Sequence, residues 1–194
     1  MTDLFIGEHP RLEAEMLENK NAPCAVITHP HPQMGGNMHN NVVLAARDAA
    51  FAHGFTTMRF NFRGTGRSGG CYDNGLGEIQ DLKTALAHAG QSAFIIGYSF
   101  GSWVAANLLA EQNMPAILIS PPTGMFEFPD LQAPNIWAVT GSRDQFCNTE
   151  ILNDIIFPDH LTVSEGVDHF WFGMEDTLEK ALTPILNQIG SLPG

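Results

Sequence analysis

Residues 93–106 read Ala93-Phe94-Ile95-Ile96-Gly97-Tyr98-Ser99-Phe100-Gly101-Ser102-Trp103-Val104-Ala105-Ala106. An apolar run, a glycine-flanked serine and a second apolar stretch of helical character follow without a spacer, as when a buried strand turns sharply into a helix. The central five residues have the form G-x-S-x-G. Small residues two positions either side of the serine let the backbone fold tightly. They lift the Ser99 hydroxyl off the carboxyl edge of a sheet and set it near a helix N-terminus. The bare pattern also fits a plain glycine-rich turn, so its surroundings must decide.

Outward from that turn the chain alternates short apolar runs with longer segments of helical period. Buried strands are expected at Cys24–Thr28, Thr56–Phe62, Ala93–Gly97 and Ala116–Ser120, with two more at Ile136–Thr140 and Leu161–Glu165. Amphipathic stretches at Asn40–Ala52, Gly77–Ala89 and Gly101–Gln112 have the lengths that parallel crossovers need, and a last helix is expected at Glu175–Ile189. Ahead of them, Leu4–Gly7 and Leu12–Leu17 flank His9-Pro10. Leu12, Ala14 and Met16 alternate with Glu13 and Glu15 as in a half-exposed antiparallel hairpin. The expectation is an α/β fold of about eight strands, mostly parallel, with an N-terminal hairpin and helices on both faces. One domain over residues 1–194 is expected, because a chain of this length buries roughly 70% of its unfolded surface.

Composition narrows the function. Nine Lys and Arg against 21 Asp and Glu give a net charge of −12, which repels phosphate backbones and anionic membrane surfaces, so neither nucleic acid nor membrane is expected as a partner. Cys24, Cys71 and Cys147 are odd in number and unpaired in spacing, no signal peptide is expected, and no run approaches a membrane span. A cytoplasmic location is the expectation.

A serine hydroxyl is a weak nucleophile without a base, and the base needs a third group to hold its tautomer. Downstream, Gly141-Ser142-Arg143-Asp144 follows one expected strand, and Gly166-Val167-Asp168-His169-Phe170-Trp171 follows the next. Both turns fall at carboxyl ends of parallel strands, in the order Ser, Asp, His, so Asp144 and His169 are the candidates. Asp81, Asp154 and Asp159 stand inside a helix pattern or before a strand, and Asp168 suits a loop-capping role.

His29-Pro30-His31-Pro32-Gln33-Met34-Gly35-Gly36 completes the set. With Asn61–Gly69, Gly141–Asp144 and Asp168–Phe170, it makes the chain resemble the α/β-hydrolases from end to end. Within them it resembles the small lidless bacterial serine hydrolases that carry an H-P-H-P-x-x-G-G signature, a group akin to the dienelactone-hydrolase-like esterases. Dienelactone hydrolases themselves are less similar, having cysteine where this chain has Ser99. The resemblance implies a Ser99, His169, Asp144 triad and carboxylic ester hydrolysis on a small-molecule ester or thioester. It names no substrate.

An oxyanion needs two N–H donors, of which one is the residue after the nucleophile, Phe100. The second is expected from the loop after Cys24–Thr28. Pro30 and Pro32 cannot donate, which leaves His31, with Gln33 and Met34 as alternatives. Met125, Phe126, Phe128 and Trp171 are candidate pocket residues, whereas Trp103 and Phe172 are assigned to packing.

Rival readings are weaker. His29, His31 and His39 match no zinc spacing and lack interleaved carboxylate or cysteine ligands, so no metal is expected. Gly64-Thr65-Gly66-Arg67-Ser68-Gly69 has the letters of a dinucleotide fingerprint, yet loop rather than helix follows it. It is read as a tight turn, anchored by Arg63 on nearby carbonyls, and no cofactor is expected. A non-catalytic binding protein on the same fold, or a peptidase or amidase, are the alternatives to an esterase. Finally, residues 121–135 include four prolines, too short and broken a bridge for a helical lid.

Overall fold

A computed structural model describes residues 2–192. Its strands are β1 (Thr2–Ile6), β2 (Leu12–Leu17), β3 (Cys24–Thr28), β4 (Thr56–Phe60), β5 (Ala93–Tyr98), β6 (Ala116–Ile119), β7 (Ile136–Gly141) and β8 (Leu161–Ser164). The helices are α1 (Asn41–Ala52), α2 (Leu76–Ala89), α3 (Phe100–Leu109), α4 (Thr149–Ile155) and α5 (Glu175–Gly190). All eight strands form one sheet in the order β1-β2-β4-β3-β5-β6-β7-β8. β1 and β2 pair antiparallel, β2 meets β4 antiparallel, and β3 to β8 are parallel. This is the expected six-stranded parallel core with a hairpin leading in.

Alternation along the strands divides the core into two layers. Ala25 and Ile27 of β3, Phe94 and Ile96 of β5 and Trp137 and Val139 of β7 pack with α1 and α5. Cys24, Val26, Ile95, Leu118 and Ala138 point the other way, into a cluster with α2, α3 and α4. Covered on both faces, β3, β5, β6 and β7 are apolar at most positions, which is why they read as continuous runs rather than as alternation.

Three expectations need correction. β2 is not half-exposed: Glu13 and Glu15 are buried, because β1 and β4 flank the strand and each carboxylate is neutralised by an arginine far along the chain. Glu15 bonds Arg59 of β4, and Glu13 accepts from Arg67 Nε at 2.6 Å and Asn61 Nδ2 at 2.8 Å. Losing one partner of a buried pair such as Glu15–Arg59 costs roughly 3–5 kcal/mol, since the other charge stays behind. Second, β4 stops two residues short of Phe62, whose amide turns from the sheet to His29 Nε2 at 3.0 Å. Third, Arg63 anchors its turn on a carboxylate instead of carbonyls, forking onto Asp81 of α2 through Nε and Nη2, the latter at 2.7 Å. Residues 64–69 do form a tight turn, closed by Gly64 N–H to Gly69 C=O at 3.0 Å, and its Arg67 amide is taken by the Glu13 carboxylate.

No helix among the described residues is long and apolar enough to cross a membrane. Between β6 and β7 the chain makes turns and one isolated bridge but no helix, so nothing in that bridge forms a lid domain.

Candidate active site

Ser99 sits between β5 and α3 with φ +53° and ψ −120°, a conformation that side chains rarely adopt and that its neighbours hold in place. Its N–H donates to Ile119 C=O at 2.9 Å, tying the turn to β6. The flanking glycines are steric requirements. A Cβ on Gly97 would come within 2.7 Å of Ser102 Cα, and one on Gly101 within 2.7 Å of the His29 carbonyl oxygen. The second contact draws the N-terminus of α3 against the end of β3, so the elbow and the His29–Gly36 loop share one site.

Ser99 Oγ lies 2.8 Å from His169 Nε2. On the far side of the ring, Nδ1 is 2.9 Å from Asp144 Oδ1. Asp144 follows β7 and His169 follows β8, both at the carboxyl edge, so the sheet brings together residues separated by up to 70 positions. Burial raises the Asp144 pKa, but the His169 hydrogen bond and charge, with the Phe146 amide, outweigh it and hold the carboxyl below its ordinary range. The group is therefore anionic at neutral pH. Its Oδ1 also accepts from Phe146 N–H at 3.0 Å, and its Oδ2 from Thr140 Oγ1 at 3.2 Å. Asp168 takes no part: Oδ1 caps its own loop by accepting from Phe170 and Trp171 N–H.

The amides of the expected oxyanion donors differ in availability. Gln33 N–H donates to His31 Nδ1 and Met34 N–H to His31 C=O, so both are engaged. Among the described residues, the His31 and Phe100 amides have no intramolecular acceptor, and both residues line the cleft at Ser99. The His31 imidazole accepts from Gln33 at Nδ1 and bonds Tyr72 Oη through Nε2, which fixes it as the neutral Nε2–H tautomer. Burial lowers its pKa, in keeping with that state.

A cleft of about 360 Å³ opens beside Ser99, lined by two groups of neighbouring rings, Phe100 with Phe126 and Phe146 with Phe170 and Phe172. Met34 and Met125 stand at the rim, well exposed. Met125 and Phe126, candidate pocket residues, both line this cleft. Phe128 packs against the core instead, and Trp171 is wholly buried with Nε1–H donating to Ser120 Oγ at 2.9 Å. A positive φ of 57° turns Trp171 inward and leaves Phe170 and Phe172 outward, so Phe172 is a wall residue and not a packing residue. Phe146, two residues past Asp144, was missed although its place in the acid-bearing loop was a usable signal.

The profile of the α/β hydrolase family matches residues 35–190. The chain belongs to the α/β hydrolase family. It is 32% identical to an uncharacterised protein of Rickettsia prowazekii over 96% of this chain and 89% of that one. A solved α/β serine hydrolase homologue from Coxiella burnetii is 33% identical, with 94% of this chain and 96% of that one covered and a TM-score of 0.85. A Xanthomonas campestris structure, described as an α/β serine hydrolase without lid, is 27% identical over 100% of this chain and 96% of its own, with a TM-score of 0.83. The hydrolase fold and its small lidless architecture are therefore shared across the whole described chain.

Proposed function

We propose that the protein hydrolyses carboxylic esters or thioesters of small molecules through an acyl-enzyme on Ser99. The observation that carries this reading is the continuous relay from Ser99 Oγ through both nitrogens of His169 to Asp144, at 2.8 and 2.9 Å. As Oγ attacks the carbonyl carbon its proton passes to His169 Nε2, and Asp144 stabilises the imidazolium at Nδ1. The carbonyl oxygen becomes an oxyanion, held by the Phe100 and His31 amides. The carbon–oxygen or carbon–sulfur bond then breaks and Nε2 returns the proton to the leaving group. A water repeats the sequence: it gives a proton to Nε2, attacks the acyl carbon, and the proton goes back to Ser99 Oγ as the acid departs.

The aromatic cleft supports an apolar acyl or alcohol group. A fluorophosphonate probe should label the wild type, and Ser99→Ala should abolish both labelling and hydrolysis of 4-nitrophenyl esters. Loss of a triad member typically costs 10⁴- to 10⁶-fold in kcat, while removing one hydroxyl at a turn should move Tm little. Residual hydrolysis within about tenfold of wild type would overturn the assignment, and a folded wild type that neither reacts with the probe nor cleaves esters would favour a binding role.

A further inference from the structure

His29, the first residue of the His-Pro-His-Pro stretch, has no place in the relay, yet it is fully buried beside the cleft loop. Its two nitrogens have opposite partners. Nε2 faces the Phe62 N–H at 3.0 Å, which only donates, and Nδ1 faces the Pro30 carbonyl at 2.7 Å, which only accepts. One tautomer satisfies both: neutral, with its proton on Nδ1. Burial pushes the ring's pKa down to about 4, so this is its state at neutral pH. Phe62 thus sets which nitrogen carries the proton, and that proton is spent on a single carbonyl.

That carbonyl belongs to the peptide unit whose other end is the His31 N–H. The bond is trans, so C=O and N–H lie in one plane and point in opposite directions. The carbonyl is directed at the buried ring, and the amide accordingly points away from it, toward the cleft that Pro30, His31 and Ser99 line. Gly36 closes the carbonyl from a second side, since a Cβ there would collide with the Pro30 oxygen. The first histidine and the last glycine of the eight-residue stretch converge on one oxygen atom.

We infer that His29 is a positioning residue of the oxyanion site: by gripping the Pro30 carbonyl through Nδ1–H it aims the His31 N–H at the oxyanion formed on Ser99. This rests on the acyl-enzyme reading above. Hydrogen bonding at the carbonyl also polarises the amide at the other end of the same unit and makes it a better donor. The ring therefore acts on the transition state and not on substrate binding.

Two side-chain amides separate the ring's two contacts. His29→Asn places a donor near the Nδ1 position and abandons Phe62, whereas His29→Gln reaches the Nε2 position and abandons the Pro30 carbonyl. With 4-nitrophenyl acetate, His29→Gln should lower kcat about 10²-fold with KM nearly unchanged, the loss typical of a misaimed catalytic group. His29→Asn should keep kcat within about threefold of wild type. Affinity for phenylboronic acid, whose tetrahedral adduct on Ser99 puts an oxygen in the same place, should fall with kcat in the Gln variant only. In the wild type, the ¹H resonance of the His31 amide should move downfield when the boronate binds, a readout that needs no variant to fold. Equal losses in both variants, a change confined to KM, an unaltered boronate affinity in His29→Gln, or an unmoved His31 resonance would each overturn the proposal. A wild type that hydrolyses no ester and binds no boronate would defeat the acyl-enzyme reading itself, a result distinguishable from all of these.

Discussion

His169 meets the Asp144 carboxylate symmetrically, with Nδ1 2.9 Å from Oδ1 and 2.9 Å from Oδ2. Neither oxygen is free to do this alone. Oδ1 also accepts from the Phe146 and Cys147 amides, and Oδ2 from the Thr140 hydroxyl, so the carboxylate is clamped in the plane that faces the ring. An acceptor on both sides of Nδ1 keeps the proton there and leaves Nε2 open toward Ser99.

Asp144→Asn tests that clamp. The amide oxygen would stay at the Oδ1 position, where two backbone donors demand an acceptor, which puts the NH₂ at the Oδ2 position beside Nδ1. The ring would then favour Nε2–H, the tautomer that cannot take the serine proton. Ester hydrolysis at neutral pH should fall about 10⁴-fold in kcat while the protein still folds, checked by steady-state kinetics and circular dichroism. A loss under about tenfold would mean that Asp144 does not set the tautomer.

How much of this was legible in the sequence depended on distance along the chain. The parallel core could be read because its central strands, covered on both faces, declare themselves in runs of four to six mainly apolar residues. Ser99, Asp144 and His169 were legible because strand ends impose their order. What was hidden lay in pairings between distant residues. Glu13 and Glu15 look solvent-facing until Arg67 and Arg59 are placed against them, and Arg63 finds Asp81 only in three dimensions. Helix α4 escaped because it buries Leu152 alone, although Asn148 capping the Glu150 and Ile151 amides was a signal for its start. In the run from Phe170 to Phe172 only the backbone twist at Trp171 decides which ring faces the cleft.

Among the described residues, those lining the cleft at Ser99 include no Lys, Arg, Asp or Glu, and the chain as a whole carries −12. An anionic acyl group would approach against that field and enter an aromatic slot without a counter-ion. Comparing 4-nitrophenyl butyrate with the 4-nitrophenyl monoester of succinic acid holds chain length nearly constant. The neutral ester should be preferred at least about tenfold in kcat/KM, and added salt should narrow the gap by screening the long-range part of the repulsion. Equal rates at low ionic strength would mean that a cation reaches the bound acyl group.

His29 has a pKa lowered from 6.5 to about 4, chiefly by burial, with His31 nearby adding repulsion. Between those values the unfolded chain binds a proton at this position that the folded chain refuses. Stability is therefore complete above pH 6.5 and is lost as pH falls toward 4. The slope approaches 1.4 kcal/mol per pH unit, and the loss totals on the order of 3 kcal/mol. Asp144 and Glu13, both held below their ordinary carboxylate pKa values, add losses of the same sign that belong mainly to the acid end of this range or below it. Those contributions remain in the His29→Asn variant, which lacks only the imidazole. Urea midpoints at pH 7.0 and 4.8 should drop more for the wild type than for the variant, even if the variant starts lower. Parallel drops would show that His29 takes up its proton equally readily in the folded and unfolded chains, and the buried neutral ring between Phe62 and Pro30 would have to be abandoned.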